Sequence, residues 1–180
     1  MNTAQHYKSE PGDKNIARDS NANPVDRANA ISNLTVDGFF EFEPLLAEWL
    51  YDTSYILRSE AVRSLVGMWK KARYFEDAVR MLHTDSEWEV RADAAFALSM
   101  YTTYDKSQRE RVMRELANRL VTDKDWAVQQ RCYEELLRLH GRDEERVNLP
   151  NHFNPDRDVD WELIKPYLNS SQLLRSQSPR

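Results

Sequence analysis

The feature that most constrains this chain is a unit that recurs three times in full. Asp52, Asp85 and Asp123 are each followed three residues on by an aromatic residue (Tyr55, Trp88, Trp126) and two later by an aliphatic one (Leu57, Val90, Val128). A small residue comes four later (Ala61, Ala94, Cys132), and leucine four after that (Leu65, Leu98, Leu136). A weaker copy over residues 21–34 keeps Ala30 and Leu34 but has Pro24 where the aromatic stands, as the terminal unit of a repeat array does.

Aliphatic, small residue and leucine at i, i+4 and i+8 lie on one face of a helix, so each copy reads as an amphipathic helix. Ser86 with Glu89 has capping-box spacing, and Asp52 and Asp123 are placed to accept unpaired backbone N–H groups near a helix start. A second amphipathic stretch precedes each full copy, at 39–50, 74–82 and 108–120, which makes the unit helix, turn, helix. From Ala30 to Ala61, Ala94 and Cys132 the steps are 31, 33 and 38 residues, compatible with helical pairs joined by loops of variable length. Turns break the apolar pattern about every dozen residues, which excludes a coiled coil.

The expected organisation is a flexible polar leader over residues 1–20, a repeat domain over 21–140, and a C-terminal cap and tail over 141–180. The polar, aliphatic-poor residues before Pro24 cannot bury enough surface to offset ordering, and residues 170–180 are similar in kind. Trp161, Leu163, Ile164, Tyr167 and Leu168 are too apolar to stand in water and read as a brief cap, shortened by Pro166.

The repeated segments resemble the HEAT-repeat family, whose second helix follows a turn Asp with an aliphatic-Arg pair, then Ala, then Leu. Asp52 with Leu57-Arg58, Ala61 and Leu65 matches, as does Asp85 with Val90-Arg91, Ala94 and Leu98. The third copy has Val128-Gln129, so the family's Arg is replaced there. The resemblance covers residues 21–140 and implies an all-α fold, a short α-solenoid of about four HEAT-like helical pairs. It also implies that Arg58 and Arg91 brace Asp turns between neighbouring repeats. Tyr55, Trp88 and Trp126, at matched positions, are expected to pack between repeats rather than form a ligand cage.

No catalytic constellation is legible. HEAT-like hydroxylases carry His-Glu pairs that hold iron, whereas this chain has no such dipeptide and its histidines (His6, His83, His140, His152) fall at unrelated repeat positions, so neither metal nor cofactor is expected. Asp156, Asp158 and Asp160 alternate like the start of a calcium loop, but Trp161 stands where that loop needs Gly and Tyr167 where it needs Glu. Cys132 takes the small-residue core position, and a lone cysteine fits a reducing compartment. With no apolar stretch of membrane-spanning length and no export signal, the cytoplasm is the expected location. The formal net charge of -5 disfavours nucleic acid as a partner.

Taking the small residues as inward, the positions one before, two after and six after them face away from the core. These are Glu60, Arg63 and Gly67; Asp93, Phe96 and Met100; and Arg131, Glu134 and Arg138. Phe96 and Met100 break an otherwise charged stripe, either as a protein-binding hot spot or as a contact with a neighbouring loop or the tail. Small, acidic helical-repeat proteins resemble bacterial immunity proteins, so the expected function is non-enzymatic binding of another protein, a basic toxin domain. The alternatives are an assembly chaperone or scaffold, and a HEAT-like enzyme of phycobilin-lyase or DNA-glycosylase type.

Overall fold

Each full copy of the repeated unit folds as a turn leading into a helix. In the computed structural model, which describes residues 9–150 and 152–170, these helices are α4 (Tyr55–Val62), α6 (Trp88–Tyr101) and α8 (Trp126–Leu139), and the weaker copy is α2 (Pro24–Val36). The preceding stretches form α3 (Glu43–Trp49), α5 (Phe75–Thr84) and α7 (Arg109–Thr122), each entered through a short 3-10 turn. No strand occurs among the described residues, and none of their helices is long and apolar enough to cross a membrane.

The helices pair antiparallel along the chain, α3 with α4, α5 with α6 and α7 with α8, and the second helices contact one another in order, α2 on α4, α4 on α6 and α6 on α8. The inward residues inferred from the repeat form one continuous core: Leu57, Ala61, Leu65, Val90, Ala94, Leu98, Val128, Cys132 and Leu136 are all 0 to 1% exposed. Burying a Leu-sized side chain is worth about 1.5–3 kcal/mol, so this shared interior is what holds the pairs together.

The turn aspartates act one step before the helix. Asp52, Asp85 and Asp123 each accept a backbone N–H two residues on, from Ser54 at 2.7 Å, Glu87 at 3.1 Å and Asp125 at 2.9 Å. This closes an Asx-type turn and leaves the cap itself to the next residues. The capping box expected of Ser86 and Glu89 does not form. Glu87 takes the cap position and the helix starts at Trp88, so Glu89 falls one residue short of the reciprocal site.

Arg58 and Arg91 brace neighbouring turns as the repeat pattern implies. Arg58 donates through Nε and Nη2 to both oxygens of Asp85, at 2.9 and 2.7 Å, while its Nη1 holds the carbonyls of Asp52 and Thr53. Arg91 repeats the arrangement on Asp123, at 2.8 and 3.1 Å, and on the carbonyls of Asp85 and Ser86. In α8, Gln129 keeps only the local half, donating to the Asp123 carbonyl at 2.9 Å, and Arg119 of α7 adds a second cation to Asp123. Burial works to raise the Asp123 carboxyl, but Arg91 and Arg119 hold it below its ordinary value.

Two departures from the expected layout have local causes. A helix, α1 (Asp13–Arg18), forms inside the stretch expected to be a loose leader, packs on α2, and buries Ala17 completely. Its anchors are polar: Asp13 accepts from Asn33, and Arg27 donates to the Ala17 carbonyl and covers Trp49. Residues 1–8 and 171–180 lie outside the described residues, and so does most of the expected tail. The second departure is a π-helical turn, Arg63–Met68, that continues α4. It inserts a residue into the helical register, so Gly67, expected on the outer face, turns inward. A Cβ there would meet the Ala97 backbone of α6 at 3.4 Å.

Just beyond the π turn, after its cap Trp69, stands Lys70, a non-glycine residue at φ 55, a left-handed position that favours glycine. Its ammonium reaches the Gly67 carbonyl and, at 2.6 Å, the Met100 carbonyl of α6. After Val147, where α9 (Asp143–Val147) ends, the chain returns over α7 and α8. It does so through α10 (Pro155–Asp158) and α11 (Trp161–Ile164), the latter short as Pro166 requires, and Phe153, Val159, Ile164 and Leu168 are buried. Tyr133 of α8 ties this segment down: its hydroxyl oxygen accepts a hydrogen bond from the Asp160 backbone N–H at 2.9 Å.

Arg58→Ala removes a fork that serves both its own turn and the next, and is expected to cost about 3 kcal/mol in denaturant unfolding, with Arg58→Lys in between. Lys70→Gly is expected to be more stable than Lys70→Ala by about 1 kcal/mol, because both lose the ammonium but only glycine relieves the left-handed backbone.

Candidate functional site

The residues inferred to form a binding stripe divide into three groups. Arg63 is exposed; Asp93, Phe96, Met100, Arg131, Glu134 and Arg138 are half-buried; and Glu60 is buried, contrary to its expected place on the outer face. Glu60 turns toward α2, where its carboxylate accepts from Ser64 Oγ at 2.8 Å and Ser64 in turn meets Thr35 Oγ1 at 3.0 Å. The helical wheel treats every side of α4 as solvent except the core side, but a helix stacked between α2 and α6 has three covered sides. Phe96 lies beside Gly67, so its half-burial comes from α6 packing against the π turn.

Most of the stripe's charges are answered internally. Arg131 binds Glu134 at 3.0 Å, Arg138 binds Glu135 at 2.9 Å and also Ser99, and Arg63 stands 3.9 Å from Glu60. A cleft lined by Arg138, Arg109 and Lys106 lies at the C-terminal ends of α6 and α8. Of its cations, Arg109 donates to the Leu139 carbonyl at the end of α8 and Arg138 is paired with Glu135.

What the periodicity did not disclose is the exposure of the repeated aromatics. Tyr55, Trp88 and Trp126, expected to pack between repeats, are 39, 42 and 53% exposed, each at the first position of its helix. Since α4, α6 and α8 stack in order, the three rings form a row along one edge of the outer face. Trp88 and Trp126 wall a cleft of about 210 Å³ whose other residues include Ala92, Gln130, Arg131 and Glu134. The signal was present in the spacing: the aromatic three residues after each turn aspartate falls at the first position of the helix, where a neighbour covers it least.

The groups considered for chemistry are held in structural roles. Cys132 is fully buried and burial raises its thiol well above the ordinary value. His83 shares a hydrogen bond with Glu115 at 2.8 Å, and His140 rests against the Tyr167 ring, its basicity lowered by burial and by Arg109 and Arg142. Asp158 and Asp160 are paired with Arg157 and Arg142. No three His, Cys, Asp or Glu side chains converge to hold a metal among the described residues. Comparison with protein-family profiles, curated proteins and solved structures finds no match to this chain.

Burial raises the Glu60 carboxyl to about 7, with Asp93 adding to the rise and Arg63 and Ser64 opposing it. The folded state thus holds a proton that the unfolded chain releases near 4.5, so this group's contribution is fully present below that pH and is lost as pH climbs through 7. Glu60→Gln is expected to raise the melting temperature relative to the native protein more at pH 8 than at pH 5, measured by thermal denaturation. An equal difference at both pH values would contradict the assignment.

Proposed function

We propose that this protein is a non-enzymatic protein-binding module, a short α-solenoid of four HEAT-like helical pairs closed by a C-terminal cap, which holds its partner on the outer face of the second helices. The reading rests on one observation: large rings of Tyr55, Trp88 and Trp126 stand in water at matched positions on three stacked helices. Exposed aromatics bring large apolar area with little conformational freedom to lose, which is why they dominate the energetics of protein interfaces. Charged side chains surround them, so the patch has the anchor-and-rim layout of a recognition surface.

The partner we propose is a basic toxin domain, which makes the protein a cytoplasmic immunity protein. The net charge of -5 supports this by favouring encounter with a cationic protein. Phe96 and Met100, half-buried against the π turn and its surroundings, belong on this reading to the support of the face more than to its contact area.

The test is capture from a lysate of the source cells with the native protein and with the Trp88→Ala Trp126→Ala variant. A stoichiometric basic protein retained by the first, and lost from the second at a melting temperature within about 2 °C, is the expected result. Equal retention by both, or a bound tetrapyrrole or lesion-dependent binding of DNA instead, would overturn it. Phe96→Ala with Met100→Ala is expected to lower stability by about 2–4 kcal/mol, as cavity-forming truncations do.

A further inference from the structure

The repeat makes the cleft between α6 and α8 comparable, position by position, with the surface where α4 meets α6. In the cleft, Trp88 and Ala92 of α6 face Ala127 and Arg131 of α8, and Arg131 brings a guanidinium into it, bound to Glu134. The corresponding positions on the surface are Tyr55 and Ser59 of α4 and Glu89 and Asp93 of α6. Alanine and arginine are replaced by two carboxylates.

These carboxylates are only partly answered from within. One Glu89 oxygen is buried without a hydrogen-bond partner. Asp93 stands in no close ion pair; Arg63 and Arg131 act on it only at longer range, and its carboxyl is raised by burial, with Glu89 adding to the effect. Ser59, 8% exposed, lies beside Asp93 and its hydroxyl favours the Asp93 carboxylate, though the two are not in close hydrogen-bond geometry. Glu60 is a further carboxylate near enough to feel Asp93, and Arg63 of the π turn, already near Glu60, is the cation that serves this group. A buried acceptor left open is costly, and so is a set of carboxylates with too few cations.

We propose that the surface where α4 meets α6 receives an arginine or lysine side chain from an exposed segment of the partner protein, its charge answered by Glu89 and Asp93 and its stem flanked by Tyr55 and Trp88. The neighbouring cleft gives the contrast in charge: its lining carries a cation, Arg131, which pairs with Glu134, at the position that Asp93 holds here. A guanidinium suits the place best, since it can donate to two carboxylates and a serine at once and pack flat on an aromatic ring. The proposal rests on reading the second-helix face as the docking face, and names the chemistry of its central contact.

The two places permit an exchange experiment with the full chain. The probe is a short peptide, acetylated and amidated, with one central arginine among glycine and serine, followed by calorimetry and by the Trp88 indole resonance in NMR. We expect weak, saturable binding at one site, weakened severalfold by salt, and a loss of at least tenfold when citrulline replaces the arginine. Glu89→Ala with Asp93→Arg copies the cleft onto the surface between α4 and α6 and is expected to abolish binding without loss of melting temperature. Ala127→Glu with Arg131→Asp copies that surface into the cleft and is expected to raise the stoichiometry from one to two.

Equal binding of the citrulline peptide, binding that survives Glu89→Ala Asp93→Arg, or preference for a single-stranded oligonucleotide would each overturn the proposal. So would an absence of peptide binding while a captured partner still depends on Trp88 and Trp126, and that result would leave the protein-binding reading standing.

Discussion

The arginine forks at Arg58 and Arg91 are the constraint on which the arrangement of helical pairs depends. Apolar burial alone would let stacked helices slide, because hydrophobic contact is non-directional. Each fork removes that freedom by binding two carbonyls of its own turn and both oxygens of the next turn's aspartate, which sets the height and rotation of one second helix against its neighbour. The turn aspartates are themselves held by their Asx bonds, so each fork grips a rigid object. With the second helices in register, their first residues line up, and the row of exposed rings follows from the same contacts.

The core and the pairing of helices were legible because they follow from periodicity, which survives substitution: Cys132 in place of alanine still reads as a small inward residue and is buried as one. The π turn was not legible, since nothing in Arg63–Met68 marks the extra residue except, in hindsight, Gly67, whose missing Cβ lets α6 approach. Helix α1 was hidden by its composition. It is fastened by Asp13, Asn33 and Arg27, and polar fastening leaves no trace in an apolar pattern.

The outer face was legible only in part. A wheel with one buried side assigns Glu60 to water, whereas stacking covers the flanks of α4 as well and puts Glu60 against Ser64. The same geometry works the other way for Tyr55, Trp88 and Trp126. Aromatic character suggested packing, but their position at the helix start lies beyond the reach of the neighbour. Comparing equivalent positions across the repeats, more than reading any one helix, separates what serves the array from what does not: Arg131 and Asp93 share a place and have opposite charge.

The forks also give the stack a direction and two different ends. Arg27 holds the position of Arg58 and Arg91 in the first unit, yet its guanidinium bonds the Ala17 carbonyl of α1 and covers the Trp49 ring of α3 instead of forking onto a turn aspartate. At the other end Gln129 keeps the grip on its own turn but is too short and uncharged to reach onward, and the chain folds back over α7 and α8. Growth by one more unit would therefore need a guanidinium at 129 and an aspartate ahead of the added helix. The two ends thus differ from the middle in the one side chain that carries the fork, much as a zip is closed by its stops and not by its teeth.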